Sequence, residues 1–275
     1  MNFNYYTVAA LPTLTWDGEL PCSFHELLDD FKIQFETLRD GISDILLLND
    51  VKNLEILLRA RLNVPEELKN NMYDGSRQYF RSRYVDPEEL EEFIDEPFLK
   101  KPHPNYPEFM SNFLEKHSEA EKRVENIHEI YIGYFRYMQN RENGFLKYYG
   151  RIAAVMRTVL SAVRIIRSGK NLESELHGDP FIVETILENR SSSDFGLKLI
   201  FPEVSDLINL FDNEPLEMEH ELDKLRFKLM EQVGRESPFA DHIIYSYIIA
   251  FQLRNRWNTL EKNKGREFLK TIIEE

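Results

Sequence analysis

The chain has 275 residues, 30% of them charged and 42% hydrophobic, with a formal net charge of −14 and a single cysteine. A chain of this size can bury roughly 75% of its unfolded-state surface, so its core needs no disulfide or metal to hold it. The negative charge opposes phosphate backbones and anionic headgroups, which argues against nucleic acid and direct lipid insertion, and lone Cys22 excludes an internal disulfide and fits a reducing compartment.

Residues 1–10 carry no base and no small-residue cleavage site, so no secretory signal is expected there. Ser23 and Glu26 have the spacing of a capping box, in which the hydroxyl takes the Glu26 amide and the carboxylate reaches back to Ser23. Asp86-Pro87-Glu88-Glu89 combines a cap, a proline at the first helical position and acids in the first turn. Asp179-Pro180 and Ser237-Pro238 mark two more starts. These signals predict helices near 24–38, 51–62, 65–83, 87–94, 107–140, 145–170, 180–190, 202–211, 216–233 and 238–261. Residues 4–10 read as extended. The proline-rich stretch 97–107 reads as a boundary between an N-terminal helical region, 1–100, and a second region, 101–275, unless the two form one continuous domain.

Two of these helices keep a strict 4-3 apolar alternation. One runs Phe113, His117, Ala120, Val124, Ile127, Tyr131, Tyr134, Met138, and the next runs Phe145, Tyr149, Ile152, Met156, Val159, Val163, Ile166. With only Gly144 and its neighbours between them, they predict an antiparallel hairpin over about 107–170. The expected fold class is all-α, a multi-helix array around that hairpin. No apolar run reaches spanning length, since Arg157 and Arg164 interrupt even the most apolar stretch. Cytoplasmic location follows as the expectation.

Charge is uneven along the chain. Residues 86–96 hold seven acids and no base, and residues 151–170 hold five bases and no acid. Such runs are ordinarily solvated faces; the sharper reading has Arg151, Arg157 and Arg164 facing an acidic partner, or the chain's own acidic segment. Near the end, Tyr247, Phe251, Arg254 and Trp257 follow helical spacing, with Arg256 beside Trp257. Trp257 either anchors the last helix or meets a partner. Anchoring is favoured because large aromatics act through burial.

No catalytic arrangement emerges. Neither G-x-G-x-x-G nor G-x-x-x-x-G-K-[ST] occurs, so no loop cradles a triphosphate. Cys22 and His25 lack a third orienting group and read as a buried Cys beside a helix start. Glu125-x-x-His128 and Glu217-x-x-His220 match the di-iron bundle motif. On the predicted helix, however, His220 lies opposite the apolar stripe of Met218, Leu222, Leu225 and Leu229, pointing to solvent. A di-iron enzyme is therefore a minor reading, and neither metal nor cofactor is expected.

Tyr5-Tyr6-Thr7-Val8-Ala9-Ala10-Leu11-Pro12-Thr13-Leu14 resembles the opening of a bacterial family encoded among V-type ATP synthase subunits. Glu221-Leu222-Asp223-Lys224-Leu225-Arg226 resembles that family's acidic Leu-Asp-x-Leu-Arg segment. Arg256-Trp257-Asn258-Thr259-Leu260 and Gly265-Arg266-Glu267-Phe268 resemble its Arg-Trp-x-x-Leu and Gly-x-x-Phe close. More distantly, Asp50-Val51-Lys52-Asn53-Leu54 leading to Leu58-Arg59 is similar to segments of the C-type subunit of V/A-type ATPases, the all-helical funnel known as the d-type subunit in eukaryotes. The three similar helical repeats of that funnel are not evident in this chain. The resemblance implies a funnel-like helical fold of the C type and a non-catalytic coupler between the central axle and the membrane ring. It would lie peripheral to the inner membrane and have the other synthase subunits as partners. A free-standing helical adaptor or assembly factor is the alternative.

Overall fold

The structure, a computed structural model, describes residues 8–34, 36–62, 72, 87–97 and 106–274, and the side chains of these except 32–36, 87–88 and 261–274. The predicted helix 65–83 lies outside the described residues, as does most of the 97–107 boundary. Among the described residues all regular structure is helical. It comprises α1 (Phe24–Gln34), α2 (Arg39–Ala60), α3 (Pro87–Asp95), α4 (Glu108–Lys116), α5 (Ala120–Glu125), α6 (His128–Gln139), α7 (Gly144–Arg167), α8 (Leu172–Glu175), α9 (Pro180–Glu188), α10 (Val204–Asn209), α11 (Pro215–Glu236) and α12 (Ala240–Glu274), with 3-10 turns at Glu36–Leu38 and Leu210–Asp212. The fold is all-α. Residues 8 and 9 form a helical turn closed by the Leu11 amide on the Val8 carbonyl, where an extended segment is predicted.

The chain divides into two compact units, and the division does not fall near residue 100. One unit joins residues 1–38 to 209–275; the other is residues 39–208. The first is discontinuous because α12 returns to pack on α1. There the Phe24 and Phe251 rings stack 5.7 Å apart, and Phe31 lies 6.4 Å from Tyr247. No local pattern announces that closure.

Within the second unit the local start signals act as read. Asn143 accepts from the Phe145 and Leu146 amides at 2.9 and 3.2 Å to open α7, and Asp179 accepts from Phe181 and Ile182 at 3.1 and 3.4 Å to open α9. The capping box at Ser23 and Glu26 is likewise made in the first unit, at 2.7 and 3.2 Å. Helices α6 and α7 form the expected antiparallel pair. Their backbones touch at Gly150, where an added Cβ would lie 2.7 Å from Met138 Cβ and 3.0 Å from the Phe135 carbonyl.

The predicted single helix 107–140 is instead three helices, α4 to α6. Its break has a side-chain cause. The backbone leaves the helix at His117 and re-enters after an extended Glu119. Arg123 then fills the gap: its guanidinium donates to the carbonyls of His117, Leu114 and Ile94 at 2.6, 3.2 and 3.1 Å. Carbonyls freed by the break thus keep a donor, as buried acceptors require.

Helix α2 begins twelve residues earlier than the predicted 51–62. It is buried nearly all round, burying Asp44, Asn49, Asp50 and Asn53 as well as its leucines and isoleucines, so no amphipathic stripe marks it. Tyrosines of α6 tie it down. Tyr137 donates to Asp44 Oδ1 at 2.7 Å, Tyr131 to Glu55 Oε2 at 2.5 Å, and Tyr134 to the Asp44 carbonyl at 3.2 Å. Arg141 adds an ion pair to Asp44 at 2.7 Å.

Two substitutions test these contacts. Arg123→Met keeps most of the side-chain volume but leaves three carbonyls without their donor, and should lower stability in urea unfolding by about 1.5–3 kcal/mol. Gly150→Ala improves helix propensity yet forces α6 and α7 apart, so it should destabilise by about 1–3 kcal/mol in the same measurement.

Candidate functional site

The most connected polar centre in the first unit is Asp223 on α11, which is 1% exposed. Arg226, one turn on, donates to Oδ1 at 3.0 Å, while Arg256 and the Trp257 indole of α12 donate to Oδ2 at 2.7 and 3.1 Å. Arg256 also reaches Glu219 at 2.7 Å and lies over the Trp257 ring, 5.6 Å from its centroid. A carboxylate taken out of water needs donors in place of that water, and two helices supply three, so that both oxygens are engaged. Of the residues singled out in the sequence, Arg256 and Trp257 meet here, and Trp257 is 5% exposed. Sequence reasoning does not single out Asp223 as a centre. The available signal is an acid inside the stripe 220, 223, 227, 230, one position round the helix from the leucine stripe.

That second stripe also corrects the placement of His220. The ring is half-buried, between two tryptophans, and does not point to open solvent. Trp16 donates its indole N–H to His220 Nε2 at 3.2 Å, and the Trp16 and Trp257 rings stand edge-on to it at 5.2 and 4.9 Å. The physical reason is long-range. The N-terminal segment crosses α11, with Leu14 and Trp16 buried and the Gly18 carbonyl accepting from Arg254 at 3.1 Å. An indole can only donate, so Nε2 carries the lone pair and Nδ1, 3.1 Å from Glu221, carries the proton.

The three arginines of the basic run lie on α7 and do not act together. Arg151 and Arg164 are exposed, whereas Arg157 is half-buried with its guanidinium 3.8 Å from the centroid of Tyr131. The acidic segment meets other bases: Asp95 pairs with Arg61, and the Ile94 carbonyl takes Arg123. Arg157 instead lines a small pocket with His128 and His177, whose rings stack 4.2 Å apart at 12°.

Neither glutamate of the two Glu-x-x-His motifs is aimed with its histidine at a common point. Glu125 pairs with Lys122, and Glu217 is exposed. Among the described residues no group of three or more potential ligands is assembled for a metal. Burial, then the carboxylates of Glu26 and Asp30, push the Cys22 thiol up, which disfavours the thiolate a nucleophile requires. No described helix is long and apolar enough to cross a membrane.

The Asp223 centre predicts a ranked set of stabilities. Trp257→Ala should cost roughly 3–5 kcal/mol, the usual range for deleting a buried large aromatic. Asp223→Ala should cost about 3 kcal/mol, the low end for breaking a buried pair, because both guanidinium groups can turn to water. Denaturant melts of the two single variants and the double variant should show coupling. A Trp257→Ala protein that melts like wild type would refute the anchoring role.

No curated protein and no solved structure matches the chain. A family described as "Protein of unknown function (DUF2764)" matches residues 1–275, the whole sequence, and the chain belongs to that family.

Proposed function

We propose that the protein is a non-catalytic component of a V/A-type ATP synthase, cytoplasmic and peripheral to the membrane, that links the central axle to the membrane ring in the manner of the funnel-shaped C-type subunit. The observation that carries this reading is how the family-like segments meet. Asp223 belongs to the Leu-Asp-x-Leu-Arg segment and Arg256 and Trp257 to the Arg-Trp-x-x-Leu segment, and all three join in one buried centre with Arg226. Leu14, from the N-terminal stretch of the same resemblance, is buried in that unit too. Two of the family-like segments, about thirty residues apart, thus meet in one buried centre, which supports reading the resemblance as a shared structure.

The role is mechanical. A coupler must keep its shape under load, and the centre described above supplies that rigidity to its unit by joining α11 to α12 through a charged, desolvated contact. The two ends it would connect do their own chemistry: nucleotide hydrolysis in the soluble head and ion passage in the ring.

Removal of the protein should therefore leave ATP hydrolysis by the isolated head unchanged and abolish ATP-driven ion pumping in membrane vesicles, with pumping restored by adding purified protein. Reattachment should weaken as salt rises, since a chain of charge −14 meets its partners partly through ion pairs that are screened beyond about 8 Å at physiological ionic strength. Pumping at full rate without it would replace the coupling role with that of a free-standing adaptor or assembly factor.

A further inference from the structure

We propose that the pocket between α6, α7 and the segment preceding α9 is a binding site for a tetrahedral oxyanion of the phosphate class, held by Arg136, Arg157 and the stacked pair His128 and His177. The proposal stands independently of the coupling role.

Size comes first. The cavity holds about 60 Å³, several times the roughly 10–15 Å³ that one water needs, which is room for a small oxyanion. Its wall is closely built. A Cβ on Gly178 would sit 2.5 Å from Thr158 Oγ1, so only glycine lets the segment carrying His177 lie this near α7.

Charge comes second. The chain has 48 acidic against 34 basic residues, yet this wall reverses the balance, with Arg136 and Arg157 against the one carboxylate of Asp179 and the two histidines as further donors. That carboxylate is engaged in the backbone cap of α9. Of the other charged groups near His128, Glu129 is held by Lys116 at 2.8 Å and by His117 at 3.0 Å. The lining therefore carries more positive than negative charge in a chain that is acidic overall.

Geometry comes third. Nearly parallel imidazoles 4.2 Å apart direct their nitrogen lone pairs in two separate planes, so they cannot both ligate one ion lying between them. Both rings line the pocket, so each can give one N–H to an oxyanion held there. Burial first, then His177, holds His128 below the ordinary histidine range; Arg157 and His117 push the same way, and Glu129 opposes them. A bound dianion opposes the electrostatic part of that effect, so binding should draw a proton onto His128.

The test uses the intact chain and follows the His128 and His177 imidazole resonances by NMR. Inorganic phosphate at fixed ionic strength should shift both saturably, with sulfate competing and chloride not. Arg136→Gln and His177→Gln, both at exposed side chains, should each weaken affinity by about tenfold while leaving the helical circular dichroism intact. Sulfate keeps its charge across the histidine range, so its binding should tighten as pH falls, with proton uptake. A nucleoside monophosphate that binds more tightly than phosphate and displaces it would identify a nucleotide as the source of the phosphate group. One that binds no better identifies the free oxyanion. Imidazole resonances that phosphate leaves unmoved, or binding that survives both variants in folded protein, would overturn the site.

Discussion

A carboxylate removed from water is costly unless donors replace the water it loses, and Asp223 is given three. Arg226 satisfies it from the same helix, while Arg256 and Trp257 satisfy it from α12, so the register of α11 against α12 is set by one side chain. Apolar packing alone tolerates sliding; a buried ion with directional partners does not. The neighbouring His220 extends the constraint outward through Trp16 to the N-terminal segment, whose turn is held in place by Arg254. Two parts of the chain more than two hundred residues apart thereby share one polar core.

The second unit uses the same physics with different residue types. Helix α2 buries acids and amides that would be unfavourable in hydrocarbon, and α6 presents tyrosines to the two acids it faces. A tyrosine suits this task because it adds apolar area and ends in a donor. Glu55 also accepts from Arg59 at 2.9 Å, and Arg157 lies over the ring of Tyr131, the other partner of that glutamate. Charge and aromatic surface are thus interleaved along α6. The basic residues of α7 that look like a solvated run separate into exposed ones and one that is partly built into the core.

The coupling role proposed above asks for a protein that holds a shape and offers surfaces. The family-like segments converge on the centre that rigidifies one unit, and the small basic pocket lies in the other.

Much of the helical content was legible from the sequence because caps and periods act over a single turn. Ser23 with Glu26 and Asp179 with Pro180 satisfy backbone groups within three residues, and the alternations of α6 and α7 state which faces must meet. Where the deciding partner is distant, local reading fails. Residues 39–50 carry no stripe because their helix is buried on nearly all sides. The helix predicted over 107–140 breaks at His117, where Arg123 reaches back to the carbonyls of His117 and Leu114. The leucines of its own helix orient His220 toward solvent, and only the crossing of Trp16 reveals that a second face is covered. The pairing of His128 with His177 depends on a loop that Gly178 allows to approach α7. The sequence by itself determined that the chain is helical and where most helices begin, since those choices are settled by neighbours. Only the tertiary structure decided which polar side chains are buried and what they bind, since a buried charge takes its meaning from partners brought to it by the fold.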